Sequence, residues 1–453
     1  MNITEGFEDI SLEKWKAQLE KDLKGVSFEQ LSRKDANEIT VYPFYNRENL
    51  KDPGEAAFLH TEWDICSYVE LKDPSEQNKT ALQHLNNGAN SLIINIGSNT
   101  TPQKLFQGIH ANYIKVHLSY QEKNTVFIDE LNAYLKDKKT DFAQLNGSFV
   151  YDPVALLIRG YEDHFETRRN YWKKITEHEL VQASELSPFV TDSFIFQNAG
   201  CTAVNELALT LAQLNEQLHF ISKENINTGN KKFILITSSS INFFENLCKI
   251  KALRNLATFL LNEYGFKNGI FIHANTSLIN KTAQDAYNNL IRSGIEAMSA
   301  IAGGADSVAV APYDYVTGTH DTNAQRLALN QLLILKEEAF LSKVADVGAG
   351  SFYLENYSNA IANKAWEEFK KIENEGGLIQ LAMNGKLKEK IKSDAEKMKQ
   401  DFINGNKILT GVNKFINKNE KVSPRTFPRN QNSKGVSFES IEEWITEATI
   451  SKT

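Results

Sequence analysis

The chain has 453 residues, 41% of them apolar, enough to bury a large core in one big barrel with appendages or in two to three ordinary domains. Its 50 basic residues are spread among 57 acidic ones, for a net charge of -7, which argues against nucleic acid or an anionic membrane as a partner. No stretch approaches the roughly 18 continuous apolar residues of a membrane span, and Met1 to Phe7 has no basic flank leading into an apolar run. The three cysteines, Cys66, Cys201 and Cys248, stand singly in apolar or small-residue surroundings, the usage of buried thiols in a reducing compartment. The expectation is a cytoplasmic protein.

Taken in chain order, Ser11 to Lys24 sets Leu12, Trp15, Leu19 and Leu23 on one helical face, with Ser11 as N-cap and Gly25 as the stop. After Tyr42-Pro43-Phe44-Tyr45, apolar β-rich runs recur: Trp63 to Glu70, Ser91 to Ile96, Tyr113 to Leu118, Ser148 to Tyr151, Phe189 to Phe196, Lys232 to Thr237, Gly269 to His273, and Ser307 to Ala311. Segments of helical period separate them, among them Val204 to Leu218, Ile241 to Glu263, Thr282 to Ala302 and Asn323 to Leu341. Thr282-Ala283-Gln284-Asp285 has the form of a capping box, and Gly303-Gly304 ends the helix it would open. Repeated strand-helix units require crossover connections and so parallel strands, and eight of them close into an α/β fold of the (β/α)8 TIM barrel type. A doubly wound sheet is the alternative, but no Gly-rich phosphate turn follows the first strand. Ser358 to Gly376 reads as a further helix, 418–434 as a polar linker, and Ile441, Trp444, Ile445 and Ala448 as one face of a terminal helix. The expected division is an N-terminal arm and helix (1–60), the barrel (61–415) and a C-terminal extension (416–453). Gly-Val-Ser-Phe-Glu occurs at Gly25 and again at Gly435, too short a repeat to define an architecture.

Polar residues on loops after the strands' C-terminal ends are where a barrel keeps its chemistry. Thr237-Ser238-Ser239-Ser240 could bind a polar ligand or cap the helix near Ile241. His320 beside Asp321 could do acid/base work or sit at a helix N-terminus. Glu162-Asp163-His164-Phe165-Glu166 lacks a second histidine at metal-ligand spacing, and Gly348-Ala349-Gly350 lacks the third glycine of a phosphate loop. Gly200, in Ala199-Gly200-Cys201-Thr202, permits close approach of backbone or ligand. None of these forms a catalytic or metal-binding constellation, and no metal site is expected.

Four stretches resemble the methylmalonyl-CoA mutase family, above all its small (beta) subunits. They are Gln197-Asn198-Ala199-Gly200-Cys201-Thr202-Ala203-Val204-Asn205-Glu206-Leu207; Ile241 to Leu247 running on to Lys251-Ala252-Leu253-Arg254; Thr282 to Asn289 with Arg292, Glu296-Ala297-Met298 and Gly303-Gly304; and Gly350-Ser351-Phe352-Tyr353-Leu354-Glu355. With the Trp15 helix and Tyr42-Pro43-Phe44-Tyr45, the likeness covers most of residues 11 to 415.

The resemblance implies a mutase barrel, normally joined to a flavodoxin-like domain that holds adenosylcobalamin through Asp-x-His-x-x-Gly. None of the nine histidines fits that motif, and too few residues follow the barrel for such a domain, so no cofactor is expected on this chain. Catalytic members carry a histidine five residues before the glycine of the Ala-Gly pair and an Arg-x-Tyr in the first strand. Here Ile195 stands at the histidine position and Cys66 at the arginine position, with Tyr68 a possible remnant of the tyrosine. Loss of a positioned proton donor typically lowers a rate by roughly 10² to 10⁴. The implied role is a non-catalytic small subunit that stabilises the catalytic large (alpha) subunit of a heterodimeric methylmalonyl-CoA mutase, which would hold the adenosylcobalamin, with Trp15 as the candidate docking anchor. An active acyl-CoA barrel served by a separate cobalamin-binding protein, and a homo-oligomeric scaffold, are the alternatives.

Overall fold

The computed structural model describes residues 11–49, 60–120, 126–161, 164–319, 321–417, 419, 425–426 and 435–451. An antiparallel ribbon, β1 (Arg33–Lys34) and β2 (Thr40–Val41), precedes the barrel. The barrel strands are β3 (Asp64–Val69), β4 (Ser91–Ile96), β5 (Lys115–Tyr120), β6 (Asn146–Val150), β7 (Glu185–Ser187), β8 (Val190–Asp192), β9 (Phe233–Ser239), β10 (Ile270–Thr276) and β11 (Ser307–Ala309). They pair in parallel in the order β7-β6-β5-β4-β3-β11-β10-β9-β8. Only Pro188 and Phe189 separate β7 from β8, so the two are halves of one fifth strand: the first half pairs with β6, the second with β9. Eight strand positions thus close a (β/α)8 barrel, as the alternation predicts. Among the described residues there is no second parallel sheet.

Outward-facing Leu92, Ile94, Leu118, Phe149, Leu235, Ile272 and Val308 are buried against the surrounding helices. The longest of these helices, Ala203–Lys223, Phe243–Glu263 and Phe352–Asn374, pack on one another. Such two-sided burial is why parallel strands read as continuous apolar runs.

Three expectations are corrected. The fifth strand does not run from Phe189 to Phe196: it begins earlier, at Glu185, is split by Pro188, which has no N–H to pair, and ends at Asp192, where Ser193 donates to the Ile236 carbonyl and Phe194–Asn198 turns into a short helix. Thr282 opens no helix. Its helix begins at Asn288, and the Ala283 and Gln284 N–H groups are instead capped by the distant Glu442 carboxylate at 2.9 and 2.8 Å. The helix expected over Asn323 to Leu341 is α-helical only over Thr322–Leu333, after which Ile334–Glu338 widens into a π-turn. The final helix forms as read, Ile441–Ile450, with Ile441, Trp444 and Ile445 buried, while almost all of 418–434 lies outside the described residues. No described helix is long and apolar enough to cross a membrane.

Candidate functional site

At the C-terminal end of the barrel lies a cavity of about 230 Å³, walled by Tyr68, Asn95, Ser119, Arg159, Asp192 and Asn275 among polar residues and by Ile93, Val150, Phe194, Ile236 and Ala309 among apolar ones. Arg159 and Asp192 form an ion pair across its wall at 2.7 Å. Tyr68 turns its accessible surface into this space rather than to bulk water, and burial pushes its phenol well up. The cavity is smaller than the roughly 300 to 1,000 Å³ usual for drug-sized ligands.

Below it lies a layer of buried rings. His117 and His273 are buried with ring centroids 6.3 Å apart, and Phe271 lies 6.2 Å from His117 on the far side. His273 is held at both nitrogens, by Ser307 Oγ (3.0 Å) and Asn275 Oδ1 (3.0 Å). His117 hydrogen-bonds through Nδ1 with Ser148 Oγ at 2.8 Å and has no protein partner at Nε2. Desolvation pushes His117 down to about 3 and His273 down to about 4, so both imidazoles are neutral at physiological pH. At the bottom, Lys115 donates to Asp64 at 2.6 Å and sits 5.2 Å from the Phe271 ring centroid. Beneath the mouth cavity, His117, His273 and Phe271 thus place a layer of buried rings in the barrel interior.

Cys66 lies in this interior against Ile93 and Ala309, its thiol pushed up to about 12 by burial. Ile195 is not on a strand but on the short helix that follows β8. It is 1% exposed and part of the main core, and does not line the cavity. Of the sites singled out in the sequence, Cys66 and Tyr68 share the barrel interior, whereas Ile195 lies outside it. His117 and His273 went unread because each sits alone within a strand, and the serines they bond, Ser148 and Ser307, lie on neighbouring strands.

The remaining candidates resolve into structure. Thr237, Ser238 and Ser239 cap nothing: they belong to β9 and bond to Glu206, the Phe194 carbonyl and the Glu296 carbonyl, while Asn242 precedes the next helix. Gly200, at φ +97°, meets Ala395, whose Cβ would lie 2.6 Å from an added methyl, so the close approach is protein on protein. Asp321 N-caps the helix Thr322–Leu333, and His320 is outside the described residues. His164 occupies the left-handed region before the helix Phe165–Glu177, with Glu162 and Asp163 also outside the described residues. Gly348 to Gly350 is a turn leading to the Ser351 N-cap. Among the described residues no group of three or more His, Cys, Asp or Glu could hold a metal ion. Trp15 stacks on Phe44 at 4.5 Å and meets the edge of Phe28.

A family model described as methylmalonyl-CoA mutase matches residues 94–445. The chain belongs to the methylmalonyl-CoA mutase family. It is 31% identical over 446 residues to the methylmalonyl-CoA mutase small subunit of Porphyromonas gingivalis, covering 91% of this chain and 70% of that one. Against the small subunit of Streptomyces virginiae it is 26% identical, covering 92% and 72%. The methylmalonyl-CoA mutase of Rhizobium meliloti matches at 30% identity over 66% of this chain and 41% of its own length. The family is one of isomerases. The family is generally cobalamin-associated; the mouth cavity, at about 230 Å³, does not by itself enclose a corrin, and the two histidines beneath it, His117 and His273, are buried and neutral.

Proposed function

We propose that this chain is the non-catalytic small subunit of a heterodimeric, adenosylcobalamin-dependent methylmalonyl-CoA mutase, and that it supports the cofactor-bearing large subunit. The observation that carries this reading is the layer of buried rings beneath the mouth cavity: His117, His273 and Phe271 lie where an acyl-CoA chain threading the barrel would have to pass. Ile195, an aliphatic core residue at the family's histidine position, supports it. So does a connected row of aromatic rings on one flank. Trp15 stacks on Phe44, Tyr42 meets Tyr45 at 5.8 Å, Tyr45 meets Tyr353 at 5.3 Å, and Tyr353 meets Phe244 at 5.7 Å, with Tyr42, Phe44 and Phe244 exposed. Aromatic anchors of this kind dominate stable interfaces, and obligate subunit contacts bury roughly 2,000 to 5,000 Å².

Two measurements test the reading. Co-expression with the encoded large subunit is expected to give a stable heterodimer that interconverts methylmalonyl-CoA and succinyl-CoA. The isolated chain with added adenosylcobalamin is expected to give no turnover, and turnover by the isolated chain would overturn the proposal. Trp15→Ala is expected to weaken assembly about thirtyfold, on the order of 2 kcal/mol. Because no residue of the helix Leu12–Asp22 is buried, the urea midpoint of the free chain should barely move. Titration of labelled large subunit gives the affinity; an unchanged value removes Trp15 from the interface.

A further inference from the structure

The C-terminal segment 435–451 runs along the rim of the barrel's mouth and is bonded to the backbone of three strand-to-helix connections. Val436 N–H donates to the Ile158 carbonyl (2.9 Å), Glu439 N–H to the Asn198 carbonyl (2.8 Å) and Ile441 N–H to the Ile279 carbonyl (3.0 Å). These follow β6, β8 and β10, and each acceptor adjoins the cavity wall. Ile158 precedes Arg159 and Ile279 follows Leu278, both lining residues. The Asn198 side chain donates to the Phe194 carbonyl (2.8 Å) and accepts from Leu278 N–H (2.7 Å), joining two lining residues directly. Phe438 meets the edge of Phe194 at 5.9 Å. Beyond this, Glu442 is buried, caps Ala283 and Gln284, and pairs with Arg425 at 2.5 Å; Arg425 also donates to the Lys281 carbonyl.

We propose that residues 435–451 form a clasp that sets the aperture of the mouth cavity. Seated, the segment holds the loops after β6, β8 and β10 against the cavity. Unseated, these loops loosen together while the barrel stays closed. Gly435 is the tightest point of the seat: an added Cβ would lie 2.1 Å from the Arg159 carbonyl carbon and 2.4 Å from the Gly160 nitrogen, all backbone that cannot rotate away.

The test is hydrogen–deuterium exchange on the full chain, comparing the native protein with Gly435→Ala and, independently, Glu442→Gln. Both variants are expected to speed exchange about tenfold or more in 158–161, 198–200 and 278–284, with the amides of β9 at their native rate, as for a local opening. Faster exchange confined to 435–451 would overturn the proposal, since the segment would then be a passive tail. Native rates everywhere in both variants would also overturn it. So would equal acceleration in β9, which would make the segment part of the core's cooperative unit.

Discussion

Replacing Lys281 by methionine is expected to destabilise the protein by about 3 kcal/mol at pH 7 and by less than about 1 kcal/mol at pH 5. Lys281 donates to Glu296 at 2.7 Å, with both side chains essentially without solvent contact, and Asn280 donates to the other carboxylate oxygen. Burial pushes the ammonium down and the carboxyl up, so the charged forms depend on each other and on the bridging Asn280 amide. Without the lysine, Glu296 folds most cheaply by taking a proton. A carboxyl whose folded pKa is raised loses stability as pH climbs above its unfolded value near 4.5, at about 1.4 kcal/mol per pH unit, which gives the figure at pH 7. Removing one partner of a buried pair costs 3 to 5 kcal/mol in general. Lys281→Met with Glu296→Leu should recover most of the loss, because two apolar side chains leave no stranded charge. Urea denaturation at both pH values measures this, and a deficit that is the same at pH 5 as at pH 7 would show that Glu296 does not neutralise.

The second large effect is an acid loss of stability traceable to the stacked imidazoles on the barrel axis. His117 and His273 are pushed down to about 3 and about 4, whereas an unfolded histidine titrates near 6.5. As pH falls below 6.5 the unfolded chain takes up protons that the folded chain refuses, so each histidine withdraws stability on acidification, about 2 kcal/mol between pH 7 and pH 5. The two together amount to about 4 kcal/mol. Carboxyls with raised pKa act in the opposite direction: burial holds Asp152 at about 6 and Glu373 at about 7, and both stabilise the fold as they protonate. The informative quantity is therefore the difference between native protein and His117→Asn or His273→Asn. Each variant is expected to gain about 2 kcal/mol relative to the native protein between pH 7 and pH 5. A difference that stays flat with pH would mean that the imidazoles are solvated rather than sealed.

The barrel was legible because its strands bury both faces. Where the last positions of a strand turn polar, on either face, the apolar run ends before the strand does, which is why β9 extends through Ser238 and Ser239 and β10 through Asn275 and Thr276. The same polar interior hid the site. His117 and Ser148 are neighbours only because β5 and β6 are paired in register, a relation that no local motif carries. The short half-strand Glu185–Ser187 before Pro188 carries too few apolar residues to stand out, so the apolar run starts only after the proline and continues through Phe194–Phe196, which instead form a helix. The Glu442 cap was beyond reach, since 159 residues separate it from Ala283 and the local Thr282-Ala283-Gln284-Asp285 pattern offered a cap that folding does not use. Ile195 is the converse case: its identity carried the functional reading, while its environment, core rather than mouth, emerged only from the fold.

The split fifth strand leaves the cylinder with a seam. Two three-residue halves, each meeting only one neighbour and backed by a few hydrogen bonds such as Ser187 to the Lys232 carbonyl, join the two rims of the eight-membered curl, whereas β11, equally short, pairs along its length with both neighbours. Gentle warming should part the wall there first. That would present two unpaired rims of β6 and β9 to any nearby chain and make the seam the place where aggregation of the lone subunit begins.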